Sequence, residues 1–158
     1  MEMEQQVMAS KERRYVDGEI LSLLQDDCRL SYAKIAAKLG ISVGAAFRHV
    51  KQLEKKGFIK KYSAVLDPTR LGYNLTTIIL LQTESGSNEE IEKELSNSPN
   101  VLGLYDITGD YDIAIIGKFK NRDFLNSFIK KLLSKPTVRR TATNVALKVM
   151  KEEFKVKF

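Results

Sequence analysis

The feature that most constrains this chain is a three-residue turn, Gly40-Ile41-Ser42, between two short helical patterns. Ser31 is placed to cap the first of these by accepting from backbone N–H groups that lack partners. That helix buries Ile35, Ala36 and Leu39 and stops at Gly40, the residue type that most easily adopts a left-handed C′ conformation. Ser42 then caps the next helix, whose buried stripe is Ala46, Val50 and Leu53. Helices separated by so short a turn cannot run side by side as a long hairpin. They cross, as in a helix-turn-helix. Upstream, Val16, Ile20, Leu23 and Leu24 have the spacing of an amphipathic helix, and Asp17 in its first turn complements the helix dipole. Residues 1–14 are polar without a sustained period, so they read as a tail that is frayed or becomes helical on assembly.

At about 100° per residue, Gly44, Arg48, Lys51 and Lys55 lie opposite the buried stripe of the third helix. Between 48 and 61 six basic residues face Glu54 alone. Such an excess favours a polyanion, or else marks a solvated helix face. The chemistry fits DNA better than a three-helix bundle used only for packing. Small residues at the start of the helix, Val43, Gly44 and Ala45, let the backbone approach a major groove. Arg48, one turn on, reaches paired acceptors on a guanine edge. Lys51 and Lys55 then stand where phosphates lie. Ser31 and Tyr32 open the preceding helix, where a phosphate is also held. Ser42 belongs to the same surface.

After Gly57 and the pair Phe58-Ile59, two extended segments are expected around 58–66, then Pro68 and Gly72 as punctuation. From there the period changes. Residues 75–84 are β-branched and aliphatic, a strand. Ser87 and Glu90 form a capping box opening a helix with Ile91 and Leu95 inward. Residues 101–108 and 111–119 read as strands joined at Gly109-Asp110. Asn121 caps a helix burying Phe124, Leu125, Phe128, Ile129, Leu132 and Leu133, and 138–149 form a last strand. The order β-α-β-β-α-β is the ferredoxin-like split arrangement. Its helices cover one sheet face, and the other face is too rich in Ile and Val for water, so a second copy or another domain is expected to cover it.

Several chemistries are poorly served. One cysteine, Cys28, and one histidine, His49, leave no disulfide, zinc finger or His-rich metal site. Cys28 follows Asp26 and Asp27, which raise rather than lower a thiol pKa, so it reads as a packing thiol. His49 reads as a solvated or phosphate-contacting imidazole, since no nucleophile or orienting partner is arranged around it. No phosphate-loop pattern is present. The longest aliphatic run, Ile78 to Leu81, falls far short of the ~20 residues of a membrane helix. With 26 basic and 20 acidic residues the chain is basic, and an intracellular, cytoplasmic setting is expected. Gly109-Asp110-Tyr111-Asp112 is either an ordinary turn or part of a site. Arg139, Thr141 and Thr143 share one face of the last strand, and a carboxylate plus hydroxyls suit a small zwitterion. Spacing alone does not bring these groups together.

Taken together, these segments resemble the Lrp/AsnC family of leucine- and asparagine-responsive type regulators. The resemblance spans about residues 15–150. It is carried by Leu53, Glu54, Gly57 and Ile59 (LExxGxI), by the YxAxLDPxxLG run from Tyr62 to Gly72, by GDYD at 109–112 and by RTxT at 140–143. It implies an α+β protein with an N-terminal winged helix-turn-helix domain and a C-terminal ferredoxin-like βαββαβ domain. The boundaries are a tail at 1–14, the DNA-binding domain at 15–62, a linker at 63–74 and an effector-binding and oligomerisation domain at 75–158. It further implies double-stranded DNA as partner, a dimer assembling into octamers or other multiples, and an amino acid or related metabolite as effector, with no cofactor. Gly109, Tyr111 and Asp112, with Thr141 and Thr143, would line the effector site. The family commonly has arginine just before the β-branched residue of the recognition helix. Here His49 precedes Val50, and Arg48 stands one residue earlier.

The resulting expectation is a sequence-specific transcription regulator. The alternatives are an architectural nucleoid protein without effector, and a metabolite-handling enzyme on the sheet domain, since ferredoxin-like domains host enzymes.

Overall fold

The computed structural model describes residues 2–84 and 89–157, with side-chain surroundings from residue 14 onward. The chain divides into two units, one reaching to Val65 and taking up the segment from Glu153, the other spanning Leu66–Glu152.

The first unit holds α1 (Glu2–Asp26), α2 (Tyr32–Leu39) and α3 (Val43–Lys55). Residues 2–14 are therefore helical and continuous with α1, not a separate tail. They are rich in Glu, Met, Gln, Lys and Arg and contain neither Gly nor Pro, so propensity carries the helix where no apolar stripe does. The two predicted caps are present. Ser31 accepts from Lys34 N at 3.3 Å and Ser42 from Ala45 N at 3.1 Å. Gly40 takes φ 65°, and its N–H closes onto Ala36 O. Ile20, Ile35, Ala36, Ala46, Val50 and Leu53 form the core, with Val16, Leu24 and Ile59 packed on it.

The extended pair expected at 58–66 forms no strand; residues 59–67 take no regular structure. The N–H groups of Phe58 and Ile59 both donate to Leu53 O, and the Tyr62 hydroxyl donates to Glu54. The segment is thus pinned to α3 rather than paired with itself.

The second unit has β1 (Leu75–Thr83), α4 (Glu89–Ser96), β2 (Val101–Asp106), β3 (Ile113–Phe119), α5 (Arg122–Leu133) and β4 (Val138–Val145). The sheet is antiparallel throughout, in the order β2-β3-β1-β4. This is the ferredoxin-like βαββαβ fold read from the sequence. Ile79, Leu81, Ile113 and Ile115 pack with Ile91 and Leu95 of α4 and Leu125 and Leu132 of α5. The capping Ser87 lies outside the described residues. Asn121 caps α5, accepting from Asp123 N and Phe124 N.

Three expectations need correction here. Phe124 and Leu133 are 55% and 50% exposed rather than buried. At about 100° per residue the six apolar positions of α5 fan over half a turn, and one sheet face covers only the middle, where Leu125 and Leu132 sit. The hairpin is wider than read: residues 107–112 connect β2 to β3, closed by Ile107 N donating to Asp112 O at 2.8 Å. β4 ends at Val145, although Ala146 N still donates to Thr76 O.

Candidate nucleic-acid interface and effector site

α3 presents the predicted surface. Val43, Gly44, Arg48, Lys51 and Lys55 are exposed, and Ala45 is half-buried. A Cβ built on Gly44 would lie 3.5 Å from Arg48 Nη1, so the guanidinium lies back along the first turn of α3. Ser31 and Ser42 are exposed, with their hydroxyl oxygens used as helix caps. Tyr32 is half-buried, its ring edge-on to Phe47 at 5.3 Å and 87°. Part of this tyrosine is therefore committed to packing.

Two relationships on α3 are absent from the sequence reading. His49 is not solvated: its Nδ1 lies 2.6 Å from Asp17 Oδ1, which ties α3 to α1. Lys51 is not a free cation. Its Nζ lies 2.7 Å from Glu54 Oε2, while Tyr62 donates to Glu54 Oε1 at 2.9 Å. Lys51 first, and then Tyr62, holds the Glu54 carboxyl below its ordinary range. Glu54 in turn raises the Lys51 ammonium. Burial, followed by the bond to Glu54, pushes the Tyr62 hydroxyl up to about 12. The i,i+3 spacing of Lys51 and Glu54 was a legible signal; nothing in the spacing marked Asp17 with His49.

In the second unit, Gly109 turns the loop at φ 117°. Asp112 Oδ2 accepts from both Thr83 N at 2.6 Å and Thr83 Oγ1 at 3.0 Å. The carboxylate therefore fastens the loop to β1. Arg140 places its guanidinium 5.6 Å from the centre of the half-buried Tyr111 ring. Thr141 is half-buried and Thr143 exposed. Register fixes their places: Ile113, Leu81 and Thr141 form one row across β3, β1 and β4, and Thr143 pairs with Ile79. With strands about 4.8 Å apart, Thr141 stands about 10 Å from the β3 end of its row. The structure thus brings Tyr111 and Asp112 together with Thr83 and Arg140. It leaves Thr141, which follows Arg140 on β4, across β1 from Asp112, and Thr143 two residues further along β4. Thr83 carried no motif, and Arg140 was legible as the first residue of RTxT but was given no role in the site.

A helix-turn-helix with a basic outer face, joined to a ferredoxin-like sheet unit, defines a DNA-binding regulator with a separate small-molecule domain. Residues 13–60 match the family model described as winged helix-turn-helix DNA-binding, and residues 76–156 match the Lrp/AsnC ligand binding domain. The chain belongs to the Lrp/AsnC family of transcription regulators. An HTH-type transcriptional regulator of Pyrococcus furiosus is 42% identical over 141 residues, covering 89% of this chain and 95% of the relative. A Neisseria meningitidis transcriptional regulator solved as a complex with L-Met superposes with a TM-score of 0.84 at 25% identity, over 89% of this chain and 94% of its own. An AsnC family regulator from Agrobacterium tumefaciens gives 0.83 at 26% identity, with the same coverage of 89% and 94%. Among the described residues, no helix is long and apolar enough to cross a membrane.

Proposed function

We propose that this regulator reads DNA through α3 and is modulated by an amino acid bound at the sheet unit. The observation that carries the DNA half is the exposed face of α3, where Arg48 follows Gly44 by one turn and Lys51 and Lys55 continue the line. Arg48 is the base-reading residue. Lys55 and Lys51 contact phosphates, while Ser31, Ser42 and the backbone at Val43, Gly44 and Ala45 border the groove.

The effector half rests on the cluster of Tyr111, Asp112, Thr83 and Arg140, and on the L-Met held by the meningococcal neighbour. An amino acid carries one cation and one anion, and this end of the sheet offers both counter-charges. Thr141 and Thr143, across β1, add hydroxyls at a distance that suits a ligand held between copies. Assembly has its own support: Ile78 and Tyr105, on the sheet face away from α4 and α5, are 49% and 46% exposed. A second copy covering that face gives a dimer, and further copies give multiples of dimers.

The test is a thermal-shift screen of the amino acids, followed by DNA binding with and without the one that scores. A ligand at ~100 times its Kd adds roughly 2.7 kcal/mol to the native state. A large ratio of specific to unrelated DNA affinity at physiological salt separates a regulator from an architectural protein.

A further inference from the structure

We infer that Glu54 is an internal competitor for the DNA phosphate at Lys51, held in that role by Tyr62, so that this chain binds the DNA backbone less tightly than its basic face would allow. The inference rests on the reading of Lys51 as a phosphate contact. Its own ground is the geometry around one carboxylate. Oε2 takes the Lys51 ammonium at 2.7 Å, and Oε1 takes the Tyr62 hydroxyl at 2.9 Å. Both oxygens are engaged from opposite sides, one by the outer face of α3 and one by the segment that leaves it.

A lone i,i+3 pair of long side chains is worth little, because each must give up its rotamer freedom. Here the carboxylate does not roam. Its side chain is 27% exposed against 51% for Lys51. With Tyr62 it lines a cavity of about 340 Å³ that Leu24, Ile35 and Val50 also line. Tyr62 orients the carboxylate, so the ammonium alone bears the cost of forming the pair. The Lys51 ammonium thus meets an anion already in place, as a phosphate would be. A phosphate arriving at Lys51 must displace Glu54 or share the ammonium with it. Where Glu54 is displaced, the counterion released from DNA is partly offset by a cation drawn to the vacated carboxylate, and where the ammonium is shared, it neutralises the phosphate less fully. Tyr62 precedes the second unit in the chain, so the position of residues 59–65 sets how firmly Glu54 holds Lys51.

The experiment measures binding to a duplex of unrelated sequence across a salt series, for wild type, Glu54→Gln, Lys51→Ala and the double variant. Glutamine keeps an acceptor for Tyr62 and loses the charge. Glu54→Gln should steepen the slope of log K against log salt by about one unit and tighten binding about three- to tenfold at about 50 mM salt. In the Lys51→Ala background the same substitution should change neither. Thermal unfolding of all four variants reads folding separately, and a slope is insensitive to a change in the fraction folded. A steeper slope for Glu54→Gln that persists without Lys51 would overturn the inference, since Glu54 would then act only by its own charge on DNA. So would an unchanged slope for Glu54→Gln where Lys51→Ala alone weakens binding. If the double variant matches Glu54→Gln in slope and affinity, Lys51 does not reach DNA, and the reading beneath the inference fails with it.

Discussion

The imidazole of His49 and the carboxylate of Asp17 meet at 2.6 Å, each side chain 21% exposed, and join α3 to α1. This is a polar fastening between two helices that also share the apolar core of Ile20, Ala46, Val50 and Leu53. It fixes the rotation of α3 about its own axis, on which the direction of Arg48 depends. A hydrogen bond to a charged group contributes about 1.5–3 kcal/mol. Asp17→Ala should therefore destabilise the first unit by about 1–3 kcal/mol and weaken DNA binding without removing any DNA-contacting group. Chemical denaturation followed by helix signal checks the first part, and band-shift titration the second. Full stability in Asp17→Ala would show that α3 is held by its apolar face alone.

Arg48→Ala and Lys55→Ala should separate reading from anchoring. Loss of Arg48 should weaken specific binding by roughly 1–3 kcal/mol and relax preference at one operator position. Loss of Lys55 should weaken every sequence about equally and flatten the salt dependence by about one unit. Selection of binding sites from a random pool, run on both variants, distinguishes the two. An unchanged base preference in Arg48→Ala would mean that a different edge of α3 enters the groove.

Asp112 has one observed duty, to Thr83, and one proposed, to an effector, and a pair of substitutions tells them apart. Asp112→Ala removes the acceptor of two bonds from buried Thr83, so a loss of about 1–3 kcal/mol of stability in the sheet unit is expected. Asp112→Asn keeps an acceptor for Thr83 and loses the charge. If Asp112 also holds an effector ammonium, Asp112→Asn should bind the amino acid about ten- to a hundredfold more weakly while unfolding nearly as wild type does. Calorimetric titration measures the first and thermal melting the second. Equal ligand affinity would assign Asp112 to loop fastening alone.

Stability should fall at both ends of the pH scale through one network. The Tyr62 hydroxyl is raised from 10.0 to about 12 in the folded protein. The folded state thus holds that proton more firmly, and the stabilisation is complete below pH 10 and lost as pH rises toward 12. The Glu54 carboxyl is lowered from 4.5, so its contribution is present above that value and lost as pH falls through the folded pKa. Ultraviolet titration of tyrosinate should show a late-ionising component in wild type that is lost in Tyr62→Phe. Identical alkaline curves for the two proteins would remove the Tyr62–Glu54 bond from solution.

Ile78→Asp puts a charge on the exposed sheet face and should convert a dimer to monomer without unfolding the unit. Ile79, on the opposite face of the same strand, is fully buried and would not tolerate the same change. Sedimentation velocity at micromolar concentration reads the difference. A folded monomer in the unmutated protein would mean that this face stays wet.

The sequence was most informative where local chemistry decides structure. Ser31, Gly40, Ser42 and Asn121 each act within four residues of themselves, and all four take the expected conformation or bond. The succession of strands and helices along the second unit followed from alternation, caps and turn residues. Legibility ended where long-range pairing decides. Asp17 and His49 lie 32 residues apart, and Thr83 and Asp112 lie 29 apart. Neither pair has a spacing that announces it. The width of the α5 stripe also misled, because six apolar positions exceed what one sheet face covers. On α3, counting charges found the basic face but not that Glu54 already occupies one member of it.

The path of the chain has a consequence for how the protein is made. Gln25 binds the Val156 backbone through both ends of its amide, at 2.8 and 2.9 Å, and Lys155 reaches Asp26 at 3.0 Å. These bonds close the first unit around everything from Leu66 to Glu152. A ribosome releases α1 before the sheet half and residues 153–157 after it, so the DNA-binding half gains its closing segment only once the sheet half has been synthesised. The cost of closing so long a loop grows only with the logarithm of its length, so the delay is one of order and not of energy. A nascent or truncated chain that stops within the sheet would carry all of α3 but lack the clasp at the end of α1.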